Sequence, residues 1–195
     1  LRDLEIIETE LLLSDIESLE KQKNNLEKKV RGNEKEAKLK LLLIEKILPE
    51  MSKGKPAREL LKLDEDENSL LPEFNLITSK PILYVCNLAE NEIKSGNKFT
   101  ELIRKRAIDN HSGFTVVSAQ IEQELSLLSE EDRIDYLKSM GLNEPTLNRL
   151  IRSGYELLNL ISFFTVGPKE AHAWTASNGV KAPQAAGKIC LLYTS

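Results

Sequence analysis

The sequence predicts an α/β fold led by an antiparallel coiled-coil hairpin, and three observations point there. Apolar residues in the first fifty positions keep a heptad rhythm. Further on, an apolar run, a helix-spaced stretch and a second apolar run follow one another. The composition, 41% apolar and 30% charged over 195 residues and 22.0 kDa, is that of a globular domain, or of one domain with pieces of others. No uninterrupted apolar run exceeds five residues, where a membrane helix needs about 20. Two cysteines, Cys86 and Cys190, are too few for a disulfide framework and suggest a reducing, cytoplasmic setting. The chain opens at Leu1 without Met and without a basic-then-apolar leader, as expected of a start inside a longer protein.

The hairpin comes first. Leu12, Ile16, Leu19, Leu26 and Val30 alternate at four and three residues, with Lys23 at the missing step. Gly32-Asn33 offers two residues suited to positive φ, where the chain can reverse. A second seam, Ala37, Leu41, Ile44 and Leu48, is expected to stop at Pro49. Lys21 to Arg58 holds 12 Lys or Arg against five Glu, a local balance of +7, so the rest of the chain carries −11 of the net −4. Such a segment can be a footprint for RNA or another polyanion. The plainer alternative is a set of lysines solvating a long helix.

The α/β pattern follows. Pro81 to Cys86 is apolar on both faces and rich in branched and aromatic residues, as a buried parallel strand would be. Phe99 to Ile108 has helical spacing, and Phe114 to Val117 is the next strand; the order implies a crossover unit. Ser129 with Glu130, Glu131 and Asp132 resembles a capped helix start, and Pro145 opens another helix. Ile161 to Val166 is β-like, and Trp174, Gly179 and Pro183 belong to a small turn-rich unit.

Ligands of open α/β sheets bind beyond the carboxyl ends of the strands. The first strand ends in Asn87-Leu88-Ala89-Glu90 and the second in Ser118-Ala119. There an Asn can brace neighbouring loops, an acid can accept from a nucleobase edge, and a backbone N–H of the Ser-Ala turn can donate beside it. The alternative is a strand-capping Asn87 and a solvated Glu90. A phosphate-wrapping G-x-x-x-x-G-K-[ST] loop does not occur in the 195 residues: Gly54-Lys55 has Pro49 and Pro56 at the critical positions, and Gly187-Lys188 has Ala182 and Ile189. His111, His172 and the cysteines show no metal-ligand spacing.

Several stretches together resemble the YchF-type ATPases of the Obg-related P-loop group. They are Arg2-Asp3-Leu4-Glu5-Ile6-Ile7, Asn87-Leu88-Ala89-Glu90, Leu147-Asn148-Arg149-Leu150-Ile151-Arg152, Ala173-Trp174-Thr175 and Ala182-Pro183-Gln184-Ala185-Ala186-Gly187-Lys188-Ile189. The resemblance covers residues 1 to 189. It implies a P-loop G domain interrupted by the coiled-coil insertion and followed by a small β-grasp TGS domain. The expected parts are a G-domain helix at 1–14, the hairpin at 15–60, the end of the G domain at 61–160, the opening of TGS at 161–189, and a non-native tail at 190–195. By the same resemblance the complete protein hydrolyses ATP with Mg²⁺ and associates with the ribosome, its large subunit in particular. The basic hairpin could contact RNA, and no membrane is involved. The metal ligands would lie outside this chain, which alone would be inactive.

Residue by residue, the resemblance makes Asn87, Leu88 and Glu90 the adenine site and Ser118-Ala119 the last base-facing loop. Guanine-specific relatives carry Asn-Lys-x-Asp, with Lys and Asp where Leu88 and Glu90 stand here. Two departures stand out. Relatives continue into His-Thr-Asp-Phe-Glu where this chain runs Cys190 to Ser195, and His172 replaces a common Arg. A coiled-coil and TGS module that binds ribosome or RNA without catalysis is the competing reading.

Overall fold

Twenty-nine residues without Gly or Pro, Arg2–Val30, form a single helix, α1. Lys35–Ser52 forms α2, which packs against it. The computed structural model describes residues 2–30, 34–60, 63–168 and 170–193, so Gly32-Asn33 lies outside the described residues. With so short a link between them, the two packed helices run antiparallel, and Lys23 of α1 meets Glu45 of α2 at 3.6 Å. Pro49 does not end the second helix, contrary to expectation. Near a helix terminus a proline removes one hydrogen bond, and here fully buried Met51 and a bond from Ser52 Oγ to Leu48 O (2.9 Å) hold the last turn.

The apolar face of α2 is wider than a heptad seam. Leu43, Ile44, Ile47 and Met51 are the deeply buried residues, whereas Leu41 is only half-buried. The reason is a third layer: Ala57, Phe74 and Leu76 join Leu12, Leu19 and the α2 residues in one cluster. Capping-boxed helix α3 (Glu65–Leu70) and 3-10 turns at Leu71–Phe74 and Ile77–Ser79 carry this layer. Residues 63–81 therefore belong with the hairpin. The chain divides into two compact units, 1–81 and 82–195.

Buried Asp15 ties the layer to α1. Its Oδ1 accepts the Ile77 N–H (2.8 Å), and its Oδ2 accepts the Thr78 N–H (2.7 Å) and hydroxyl (2.7 Å). The same hydroxyl oxygen accepts the Ala57 N–H at 3.0 Å. Nothing in the heptad pattern marks this residue.

In the second unit, Leu83–Asn87 (β1) and Gly113–Val117 (β2) pair in parallel, Leu83 opposite Gly113 and Asn87 opposite Val117. Helix α4 (Lys98–Asp109) crosses between them, capped by Asn97. It packs through Thr100 and Ala107, while Leu102 faces solvent. Helices α5 (Ala119–Leu127), α6 (Glu130–Ser139) and α7 (Thr146–Leu157) follow, the first two capped by Ser118 and Ser129. The strand expected to be buried on both faces is not: Val85 is 45% exposed. Leu160–Val166 (β3) and Ala171–Ser177 (β4) form an antiparallel pair, and Ala182–Tyr193 forms α8. Trp174 is buried and donates to Thr165 Oγ1 at 2.8 Å, a core role.

Candidate nucleotide-base site

The ends of β1 and β2 are joined by side chain and backbone. Exposed Asn87, the last residue of β1, accepts the Ala119 N–H on its Oδ1 at 3.0 Å. One residue on, the Leu88 N–H donates to Val117 O (2.9 Å). The Ala119 N–H is thus already bonded, so the donor expected beside a base is turned inward to the brace. An Asn suits this position because its amide oxygen reaches a neighbouring strand's exit while its backbone completes the ladder.

Leu88 is 8% exposed and packs with Ile93, Ile121, Leu125, Leu137 and Leu142. Its side chain belongs to the core beneath the site and not to an open base pocket. Ser118 is fully buried; its Oγ caps α5 by accepting the Ile121 N–H (3.5 Å). Its own N–H goes to Thr146 Oγ1 at 3.2 Å. Of the five residues the sequence singled out, Asn87 and Ala119 touch one another, Leu88 and Ser118 hold the platform from below, and Glu90 stands at its edge.

Glu90 begins a short 3-10 turn, Glu90–Glu92, and is half-buried. Its Oε1 lies 3.5 Å from the Tyr136 hydroxyl, which makes a much shorter contact with Glu124 Oε2. That bond, with burial and the two carboxylate charges, pushes the Tyr136 phenol well above the ordinary tyrosine range. Cys86, one residue before the brace, is half-buried and its thiol is pushed up by burial, so it presents little thiolate.

Sequence reasoning missed Thr146, Glu122, Tyr136 and Glu124. Thr146 is fully buried and donates to Glu122 Oε1 (2.6 Å), which also accepts the Leu147 N–H (3.1 Å) and caps α7. Pro145 reads in the sequence only as a helix start, and nothing local marks Thr146 or Glu122. Among the described residues no group of three or more His, Cys, Asp or Glu side chains could hold a metal ion. No described helix is long and apolar enough to cross a membrane.

A helical hairpin followed by a parallel βαβ unit, with the strand exits clasped by an Asn, defines an α/β protein. Comparison with known proteins is consistent. Residues 160–190 match the family model described as YchF-GTPase_C, protein of unknown function (DUF933). The chain is 39% identical over 189 residues to the ribosome-binding ATPase YchF of Haemophilus influenzae, covering 97% of this chain and 52% of that protein. It is 37% identical to the protein of the same name from Bacillus subtilis, covering 96% and 51%. The structure of the Schizosaccharomyces pombe YchF GTPase is similar with a TM-score of 0.81 at 34% identity, over 96% of this chain and 52% of that one. Over nearly its whole length the chain is similar to YchF proteins, and it spans about half the length of the curated relatives it matches.

Proposed function

We propose that this chain carries the adenine-recognising half of a cytoplasmic, ribosome-associated ATPase. The observation that carries the reading is the Asn87 Oδ1 bond to the Ala119 N–H, with Glu90 three residues beyond. The brace fixes the exits of β1 and β2 side by side, and Glu90 provides the carboxylate at their rim. A purine laid against this edge would present its amine to Glu90. Guanine fares worse there. Glu90 is one methylene longer than the aspartate that takes both guanine donors, and Leu88 supplies no cation along the ring. Unpaired guanine donors cost about 1–3 kcal/mol, roughly tenfold to a hundredfold in affinity.

Among the described residues no cluster of three or more His, Cys, Asp or Glu side chains fits Mg²⁺. With no phosphate-wrapping loop among them, the 195 residues alone should neither hold ATP tightly nor hydrolyse it. The test is competitive binding of labelled ATP and GTP to a full-length protein carrying these residues. ATP should win, and Glu90→Asp should narrow the ratio about tenfold. Lysine at position 88 is a poor probe, since it would carry a charge into the core cluster. A starting preference for GTP, or a ratio untouched by Glu90→Asp, would show that Asn87 to Glu90 does not read the base.

Ribosome association has its own support in the distribution of hairpin charge. Lys21, Lys23, Lys40, Lys46, Lys53 and Lys55 are paired with glutamates of the same unit. Exposed Lys28, Lys29, Lys35 and Lys38 flank the link between α1 and α2, concentrating the available positive charge at that end. Replacing these four with Gln should weaken co-sedimentation with ribosomes and flatten its salt dependence, leaving helix content unchanged. Association that ignores both the substitutions and salt would remove the hairpin from the interface.

A further inference from the structure

Glu90 and Glu124 compete for one proton. Glu124 projects from α5 and Tyr136 from α6, and both are half-buried beside the cluster under Leu88. A phenol has a single O–H to donate. The short contact to Glu124 takes it, and Glu90 Oε1 at 3.5 Å is left at the outer limit of hydrogen bonding.

We propose that Glu124 and Tyr136 are positioning residues for nucleobase choice: Glu124 draws the tyrosine proton away from Glu90 and so keeps the Glu90 carboxylate an open acceptor for a purine amine. The inference rests on the reading of Glu90 as base-facing. Three facts support it independently of that reading's details. The tyrosine is fixed by the packing of its ring against the Leu88 cluster. The phenol is protonated through the neutral range, as tyrosine is, and so has its proton to give to the short Glu124 contact. And the two carboxylates come from different elements, the turn after β1 and helix α5, so their meeting at one hydroxyl follows from the fold and not from local sequence.

The arrangement makes a prediction that simple packing does not. In Glu124→Gln the neutral amide is the weaker acceptor, so the Tyr136 proton turns to charged Glu90 and occupies it. In Tyr136→Phe no proton is left to compete, and Glu90 stays open. Binding of labelled ATP and GTP should therefore be measured in the full-length protein for Glu124→Gln, Tyr136→Phe and the two combined, with Glu90→Gln alongside. Glu124→Gln should weaken ATP about three- to tenfold, Tyr136→Phe should stay near the parent, and the double variant should return to it. Rescue by removing a second side chain is the signature. A double variant as weak as Glu124→Gln, or an unaffected Glu124→Gln while Glu90→Gln loses ATP, overturns the proton competition and leaves the base site standing. If Glu90→Gln binds ATP like the parent, the base-site reading falls and this inference with it.

Discussion

Asp15 in the first unit and Glu90 in the second are carboxylates with opposite circumstances. Asp15 is 2% exposed and accepts three hydrogen bonds, two from backbone and one from a hydroxyl. Glu90 sits half-buried at the rim of a strand exit, with one long contact to a hydroxyl whose proton another acid holds. The difference separates two uses of one functional group. A carboxylate supplied with donors by its own chain is a fastening, because its burial closes it to ligands and those donors compensate the burial. A carboxylate left short of donors beside a fixed edge has acceptor capacity to offer.

The largest effect expected from this contrast is on stability of the first unit. Asp15→Ala strands the Ile77 and Thr78 N–H groups in a buried place and should cost about 3–5 kcal/mol. Asp15→Asn keeps one acceptor and should cost less. Urea unfolding followed by far-UV circular dichroism measures both, and a loss below about 1 kcal/mol for the alanine variant would deny Asp15 its fastening role.

Next comes a pH effect in the second unit. The Tyr136 phenol is raised in the folded state, chiefly by its bond to Glu124. As pH climbs past the ordinary tyrosine value of about 10, the unfolded chain releases a proton that the folded one retains. Stability is then complete below that value and declines above it. Thermal melts through the alkaline range should show this decline, and Tyr136→Phe should flatten it. Equal slopes in the two proteins would mean the hydroxyl is not held as described.

The smallest effect is the sharpest contrast. Glu90→Ala should leave unfolding free energy within about 0.5 kcal/mol of the parent, because Glu90 fastens little. If it destabilises the protein as Asp15→Ala does, the two acids belong to one class and the comparison fails.

Much of this was legible in the sequence where the signal is local. Ser129 and its acids marked α6, and Pro81 to Cys86 marked a parallel strand. Asn87 at a strand end foretold a brace between neighbouring loops, and its amide does join the loop after β2. What escaped is long-range. Asp15 meets residues 62 and 63 positions away, and Tyr136 meets Glu90 across 46. No periodicity encodes such pairs. The width of the α2 face was missed for the same reason, since the layer that covers Leu43 and Ile47 comes from residues 57–76. The core packing of Leu88 was not legible either, because a motif gives the order of residues, not which of them points into the core.

The reach of the Asp15 contacts also has a consequence in time. The two helices of the hairpin can find each other early, because only a short link separates them. Residues 74–79 must return across some sixty positions before Asp15 acquires its donors, and that closure entropy makes docking of the third layer a late event. Interactions formed after the transition state govern how fast a protein comes apart, not how fast it assembles. Asp15→Asn should therefore steepen the escape from the native state while the refolding arm of its chevron stays in place, making this one side chain a latch on the lifetime of the folded hairpin.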